Sequence, residues 1–285
     1  MTWIDLVWTV LGALALGLIV YAWAVEPYRI RMSRLDIGIP NLSDSLDGFT
    51  ICHLSDLHIG RFGRLERKLA RILSTVDADL CLITGDLLSA PDGVEPLAQV
   101  LAGLRPKHGI FAVLGNSEHD PWMPGASVAD DLAKHGIRVL INECTYLSLD
   151  GTGLSIAGVD DPFLGLDDPG RALAGCRSGS VKILLAHSPD VLANLGAHAP
   201  DVILAGHTHG GQICIPFLGA LWTHCRYDLK ISAGYYGPHR LSRIAGGHLA
   251  HTQMYISSGL GGSGVRARFL CRPEVAILRL KTSRA

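Results

Sequence analysis

"DVILAGHTHGG", Asp201 to Gly211, is the stretch on which the fold turns. Its first half, Val202 to Ala205, is a short apolar run of the kind that forms a buried strand. Its second half sets His207 and His209 one residue apart between glycines. Packing does not explain two imidazoles boxed by glycine at a strand end, and the glycines free the backbone to turn there.

Working outward, four further apolar runs end the same way. "FTICHLSD" leads to Asp56 and His58, "LCLITGD" ends on Asp86, "IFAVLGN" ends on Asn116, and "VKILLA" precedes His187. Strand C-termini are where open α/β sheets gather their binding groups. Helical patterns separate the first three runs. Leu65, Leu69, Ile72, Leu73 and Val76 share one helical face, and further helices are expected from about Val94 to Leu104 and from Ser127 to His135. This β-α-β-α-β rhythm predicts largely parallel strands. Further runs such as "TYLSLD", "LSIAGVD", "MYISSGL" and "EVAILRL" predict a second sheet packed on the first, with helices outside both.

The N-terminus is different. "WIDLVWTVLGALALGLIVYAWAV", Trp3 to Val25, carries one charge, Asp5, and exceeds the roughly 20 residues that cross a bilayer. Trp3, Trp8, Tyr21 and Trp23 lie toward its ends, as interfacial aromatics do. "AWA", Ala22 to Ala24, mimics a cleavage site, but no Lys or Arg precedes Arg29, so an uncleaved single-pass anchor is expected. Arg29, Arg31 and Arg34 then place the rest of the chain on the cytoplasmic side of the inner membrane. The expected division is an anchor over residues 1–28, a linker over 29–48 whose Pro40 and polar residues argue against a long helix, and one catalytic domain over 49–285.

Of 285 residues, 25 are basic and 26 acidic, so no broad basic face for nucleic acid is expected. The seven cysteines form no CxxC pair and read as scattered core thiols of a reducing compartment.

Carboxylate, imidazole and amide oxygen together suit borderline divalent metals: Mn²⁺ is the expected ion, with Zn²⁺ or Fe²⁺ as alternatives. Asp56, His58, Asp86, Asn116, His187, His207 and His209 are too many for one tetrahedral ion. They suffice for two ions sharing a carboxylate, an arrangement that clamps both oxygens of an in-line phosphoryl displacement.

In this order, "DLH", "GD", "GNSE", "AHSPD" and "GHTH" resemble the metal motifs of the calcineurin-like metallophosphoesterase superfamily. "GHTHGGQICIPFLGAL", "YISSGLGGSGVRARFLCRPEVAILRL" and the anchor followed by "EP" are similar to its membrane-anchored bacterial branch, which includes UDP-2,3-diacylglucosamine diphosphatases of lipid A synthesis. The resemblance implies a four-layer α/β/β/α sandwich. It implies Asp56, His58 and His209 on one metal, Asn116, His187 and His207 on the other, and Asp86 between them. It also implies hydrolysis of a phosphodiester or pyrophosphate by a metal-bridging hydroxide, with Asp86 and Asn116 holding the catalytic metals.

The departure is Ser117, where the family has a histidine beside the metals. Serine has no pKa near 7 with which to protonate a leaving group. His119 is the residue expected to take that role; His53 or His224 are alternatives, a phosphate leaving group would need no acid, and weak or lost catalysis is the remaining alternative. "GVDDP", Gly158 to Pro162, reads as a turn or as a substrate-side pair of acids. "GLGGSGVR", Gly259 to Arg266, reads as a tight connection, with a phosphate cradle of backbone N–H groups as the alternative; Arg266 and Arg268 read by default as solvated side chains, or as contacts to a phosphate or the bilayer. The anchor points to a phosphorylated, lipid-linked small molecule in the bilayer as substrate. A non-catalytic membrane-tethered scaffold and a nuclease-like phosphodiesterase are the competing readings.

Overall fold

The computed structural model describes residues 2–123, 125–149, 151–226, 231–245 and 249–283. The chain opens with α1 (Trp3–Val20), which continues through a wider turn (Tyr21–Val25) and a tighter one (Glu26–Tyr28). Next come β1 (Arg31–Pro40), β2 (Thr50–Leu54), α2 (Arg64–Leu73), β3 (Leu80–Thr84), α3 (Val94–Leu101), β4 (Ile110–Val113), α4 (Gly125–Lys134) and β5 (Ile137–Val139). The second half holds β6 (Glu143–Leu149), β7 (Thr152–Gly158), α5 (Pro169–Ala174), β8 (Val181–Leu185) and β9 (Val202–Ala205). A small hairpin follows, β10 (Cys214–Ile215) and β11 (Gly219–Ala220), then β12 (Gly234–Tyr236), α6 (Pro238–Ala245), β13 (Gln253–Ile256) and β14 (Glu274–Ser283).

Two six-stranded sheets form, in the orders β1-β14-β2-β3-β4-β5 and β12-β13-β9-β8-β7-β6. The β2-β3-β4-β5 and β13-β9-β8-β7 runs are parallel, as the sequence rhythm predicts. Period-2 alternation sorts each strand's side chains into layers. Leu80, Leu82, Ile183, Leu185, Val202 and Leu204 point between the sheets. Their neighbours Cys81 and Ile83 pack under Leu69, Leu73, Leu97 and Leu132 of α2 to α4. Leu184 and Ile203 pack under the second helical layer with Ala172 of α5 and Leu241 of α6. The result is the four-layer α/β/β/α sandwich, and its layering leaves the C-terminal ends of β2, β3, β4, β8 and β9 at one edge.

Residues 29–48, expected as a linker, instead contain the ten-residue strand β1. It pairs in parallel with β14 along its whole length, from Arg31 opposite Glu274 to Pro40 opposite Ser283. Ile37 and Ile39 face the inter-sheet core while the intervening Gly38 does not. Pro40 is tolerated because it ends an edge strand, where its missing N–H leaves no ladder position empty. The cysteines also differ from the expectation: Cys52, Cys81 and Cys271 are buried, but Cys144, Cys176, Cys214 and Cys225 are only partly so; none of the seven forms a disulfide.

Asp5 earns its place in an apolar helix by capping it. Thr2 Oγ1 accepts the Asp5 N–H at 3.2 Å, and the Asp5 carboxylate accepts the Thr2 N–H at 2.7 Å. No residue of α1 is buried, and the helix through Tyr28 is long and apolar enough to cross a membrane. Its far end is fastened to the domain. Arg268 N–H donates to Ala22 O at 2.9 Å, Cys271 N–H to Glu26 Oε1 at 2.7 Å, and the Tyr21 and Phe269 rings meet edge-on at 6.3 Å.

Leu82 is fully enclosed between the sheets. Leu82→Ala is expected to lower the unfolding free energy by about 2–5 kcal/mol, the range for a leucine whose cavity closes only in part. Urea unfolding of the detergent-solubilised chain measures it, and a loss below about 1 kcal/mol would mean that the two sheets close over the gap.

Candidate metal centre

The strand ends converge as the motifs require. The donor atoms of Asp56, His58 and His209 lie within 4.8 Å of one another, as do those of Asp56, Asp86 and His187. His187 Nε2 is 3.2 Å from Asn116 Oδ1 and 3.0 Å from His207 Nδ1. Asp86 reaches both groups, with Oδ2 3.3 Å from His58 Nε2 and Oδ1 3.4 Å from His187 Nε2. Asp56 is also shared, its Oδ1 lying 3.4 Å from His209 Nε2. All seven residues singled out in the sequence therefore meet at one place.

The backbone makes this possible by leaving the strand conformation abruptly. Asp56, His58, Asp86, His207 and His209 have φ of +50°, +47°, +49°, +66° and +48°. These left-handed residues turn the side chains into the edge of the sandwich, and main-chain bonds hold them there. Asp56 N–H donates to Gly85 O at 3.1 Å, His58 N–H to Asp86 O at 2.9 Å, and Gly206 N–H to His187 O at 2.8 Å. The glycines of the motifs make room. A Cβ on Gly85 would stand 2.5 Å from His187 Nδ1, one on Gly115 2.4 Å from Asp86 Oδ1, and one on Gly206 2.5 Å from Asp56 Oδ2.

Electrostatics favour a cation. Burial pushes the Asp56 carboxyl up, with the neighbouring Asp86 charge adding to it. Burial works against ionised Asp86 too, yet His187, His58 and the Ser117 N–H hold it well below the usual range. Burial disfavours the His187 imidazolium, but Asp86, Asp56 and Asp161 outweigh it and raise that pKa well above the ordinary value. His207 is driven down to about 3 and His209 well below its normal range, both first by burial, which leaves their ring nitrogens as lone-pair donors. Asp161 Oδ1 is buried with no hydrogen-bond partner. Donor pairs 3.0–3.4 Å apart have the spacing of ligands held about 2.1 Å from a common ion. The donor set thus fits divalent metal ions.

Glu118, Arg268 and Asp160 complete the site; of these Asp160, in "GVDDP", is a candidate for it from the sequence, and Arg268 only as an alternative to its solvated reading. The buried Glu118 carboxylate accepts N–H bonds from Asp86, Leu88 and Gly115 at 3.0, 3.0 and 2.8 Å, tying two loops together. Its place in "GNSE" was visible, but not its role as a tie. Arg268, expected in solvent, is buried: it donates to Ser258 O at 2.8 Å and to Gly261 O at 2.6 Å, and its Nη2 lies 3.4 Å from His209 Nδ1. The glycine-rich connection it holds lies on the site, with Gly261 N–H donating to Asp56 O at 2.6 Å.

His119 shares a single turn with Asn116, and its Nε2 is 2.6 Å from Asp160 Oδ1 in "GVDDP". The Asp160 hydrogen bond raises the His119 pKa against partial burial. His53 lies inside the sheet, 2.9 Å from Thr84 Oγ1 and edge-on to Tyr255, where burial lowers it to about 4. That placement removes it as an alternative acid. His224 stands closer, since its carbonyl accepts from His207 Nε2 at 3.1 Å. Ser117 and His58 line a cleft of about 330 Å³ that extends past Leu65, Met123 and Arg266 to Trp23 and Tyr28 at the base of the N-terminal helix.

Residues 49–211 match the Calcineurin-like phosphoesterase family. The chain is 32% identical over 285 aligned residues to the uncharacterized metallophosphoesterase YkuE of Bacillus subtilis (strain 168), covering 95% of each. It is 32% identical over 252 residues to an uncharacterized metallophosphoesterase of Helicobacter pylori (strain ATCC 700392 / 26695), covering 85% of this chain and 62% of that one. It is 25% identical over 323 residues to the UDP-2,3-diacylglucosamine pyrophosphatase LpxG of Chlamydia trachomatis, covering 93% and 94%.

Gly206→Ala tests the close packing at the strand ends, since its Cβ would fall 1.8 Å from Ser55 Oγ. Displacing Asp56 in this way is expected to remove most of the bound metal while circular dichroism stays unchanged. Elemental analysis after dialysis against Mn²⁺ reads the outcome, and full metal retention would mean that the loops yield freely.

Proposed function

Because the chain belongs to the calcineurin-like phosphoesterase family of metal-dependent hydrolases, we propose that it cleaves a phosphodiester or pyrophosphate bond in a membrane-associated substrate. The observation that carries this reading is the convergence of seven donors beside a cleft that runs to the base of an apolar span. Asp56, His58 and His209 would hold one divalent ion and Asn116, His187 and His207 a second, with Asp86 between them. Bound there, two Mn²⁺ ions would acidify a water and neutralise charge growing on the phosphoryl oxygens.

The chain's own groups do the rest. Arg268 and Glu118 fix the ligand loops, so that little reorganisation is needed during the reaction. The backbone of Ser117 donates to Asp86 Oδ1 at 2.9 Å, which orients the carboxylate toward both groups. With serine in place of the family's histidine, we assign the proton for the leaving oxygen to His119, oriented by Asp160. Helix α1 would cross the inner membrane, and Arg29, Arg31 and Arg34 beyond it favour a cytoplasmic site. UDP-2,3-diacylglucosamine is the substrate to test, because a relative similar along nearly its whole length is named for it and a phosphate leaving group makes little demand on an acid.

Four outcomes check this reading. Purified enzyme with Mn²⁺ should release UMP from UDP-2,3-diacylglucosamine; no turnover of it beside activity on other diesters would remove that substrate alone. Asp86→Ala and His207→Ala should each lose activity on every phosphoester, and parental rates would reject the enzyme itself. His119→Ala should slow poor leaving groups far more than good ones. The acid form of His119 is present below its raised pKa and is lost as pH rises through it. Asp160→Asn lowers that pKa, so the alkaline limb of kcat/KM should move to lower pH; an unmoved limb would assign the proton elsewhere.

A further inference from the structure

The hairpin β10–β11 is built against the logic of a soluble surface. From Ile213 to Trp222 the sequence is "ICIPFLGALW", with no charged residue. Six of its large apolar side chains are exposed: Ile213, Ile215, Phe217, Leu218, Leu221 and Trp222. Phe217 at the tip is 108% exposed and Leu218 is 76% exposed. Phe217 also has φ of +68°, a conformation that costs a bulky side chain about 1–2 kcal/mol. A contiguous apolar patch of this kind marks an interaction surface.

The hairpin's position says what covers it. One end is joined to the foot of the N-terminal helix. Ile213 bridges to Phe269, Cys214 N–H donates to Phe269 O at 2.8 Å, and Phe269 in turn packs edge-on against Tyr21. The other end reaches the metal centre. Trp222 lies 5.2 Å from the His224 ring, and the His224 carbonyl accepts from His207. Across an open cleft of about 510 Å³ stands Phe163, whose ring is 4.7 Å from that of His207 and whose exposed neighbours are Leu164 and Leu166. Apolar side chains thus run from the span, along the hairpin, to the rim of the site, where Asp190 and Arg226 share the cleft wall with them.

We propose that the hairpin 213–222 lies in the lipid interface beside the span, so that the mouth of the metal centre opens onto the bilayer surface. This rests on the membrane reading of α1 given above and sharpens it. Trp222 and Tyr21 then sit at headgroup depth, where amphipathic rings collect, and Phe217 and Leu218 reach the acyl boundary. An amphiphile whose phosphate occupies the metal centre need not leave the membrane to be cut.

The test uses the full chain reconstituted in phosphatidylethanolamine–phosphatidylglycerol vesicles. The emission of the parent minus that of Trp222→Phe isolates Trp222. The expected result is blue-shifted emission that loses most of its intensity to brominated acyl chains and little to aqueous iodide. Phe217→Asp should reverse this, exposing Trp222 to iodide while the chain still floats with the vesicles. Red-shifted, iodide-quenched parental emission would overturn the proposal. Emission shielded from both quenchers would overturn it too, in favour of a second copy covering the hairpin. A chain that does not float with vesicles would fail the membrane reading itself, a result separable from either.

Discussion

The site depends on five residues held in the left-handed backbone conformation: Asp56, His58, Asp86, His207 and His209. At roughly 1–2 kcal/mol each, their strain is of order 5–10 kcal/mol, comparable to the whole stability of a typical domain. It persists because everything around it is over-determined. Parallel strands fix the loop starts, loop-to-loop N–H bonds fix their ends, and Glu118 and Arg268 fill the remaining donor and acceptor positions from inside. The large inter-sheet core exists, in this sense, to keep five backbone torsions where a relaxed chain would not put them.

Much of this could be read in advance. Apolar runs ending in Asp, Asn or His place the ligands on strand ends, and strand ends in a layered α/β fold share one edge. The parallel order, the three helices of the first half and the second sheet followed from periodicity alone. Strand β1 did not, because its partner β14 lies more than 230 residues away and Pro27 before it and Pro40 at its end look like loop chemistry at short range. The His119–Asp160 pair spans 41 residues and joins two loops, so no local pattern announces it. Arg268 is the sharpest case. A lone arginine in a glycine-rich segment reads as solvated until the fold wraps three carbonyls around its guanidinium.

Ser117 and His119 show how a motif can drift without losing its frame. The N–H of residue 117 binds Asp86 whatever its side chain, so the metal-facing geometry places no demand on a histidine there. Ser117 lines the cleft beside His58, where the cleft begins its run toward Trp23. A hydroxymethyl group fills less of that wall than an imidazole would.

The fastening of the N-terminal helix has a mechanical side. Its α-helical part, Trp3–Val20, has 18 residues and is about 27 Å long at 1.5 Å per residue, close to a hydrocarbon core of about 30 Å. Beyond it Glu26 and Pro27 are buried against the domain. A loose tether would let the domain turn independently of the helix. Here the bonds from Arg268 to Ala22 and from Cys271 to Glu26 couple the helix axis to the sandwich. Whatever orients the helix orients the catalytic edge with it.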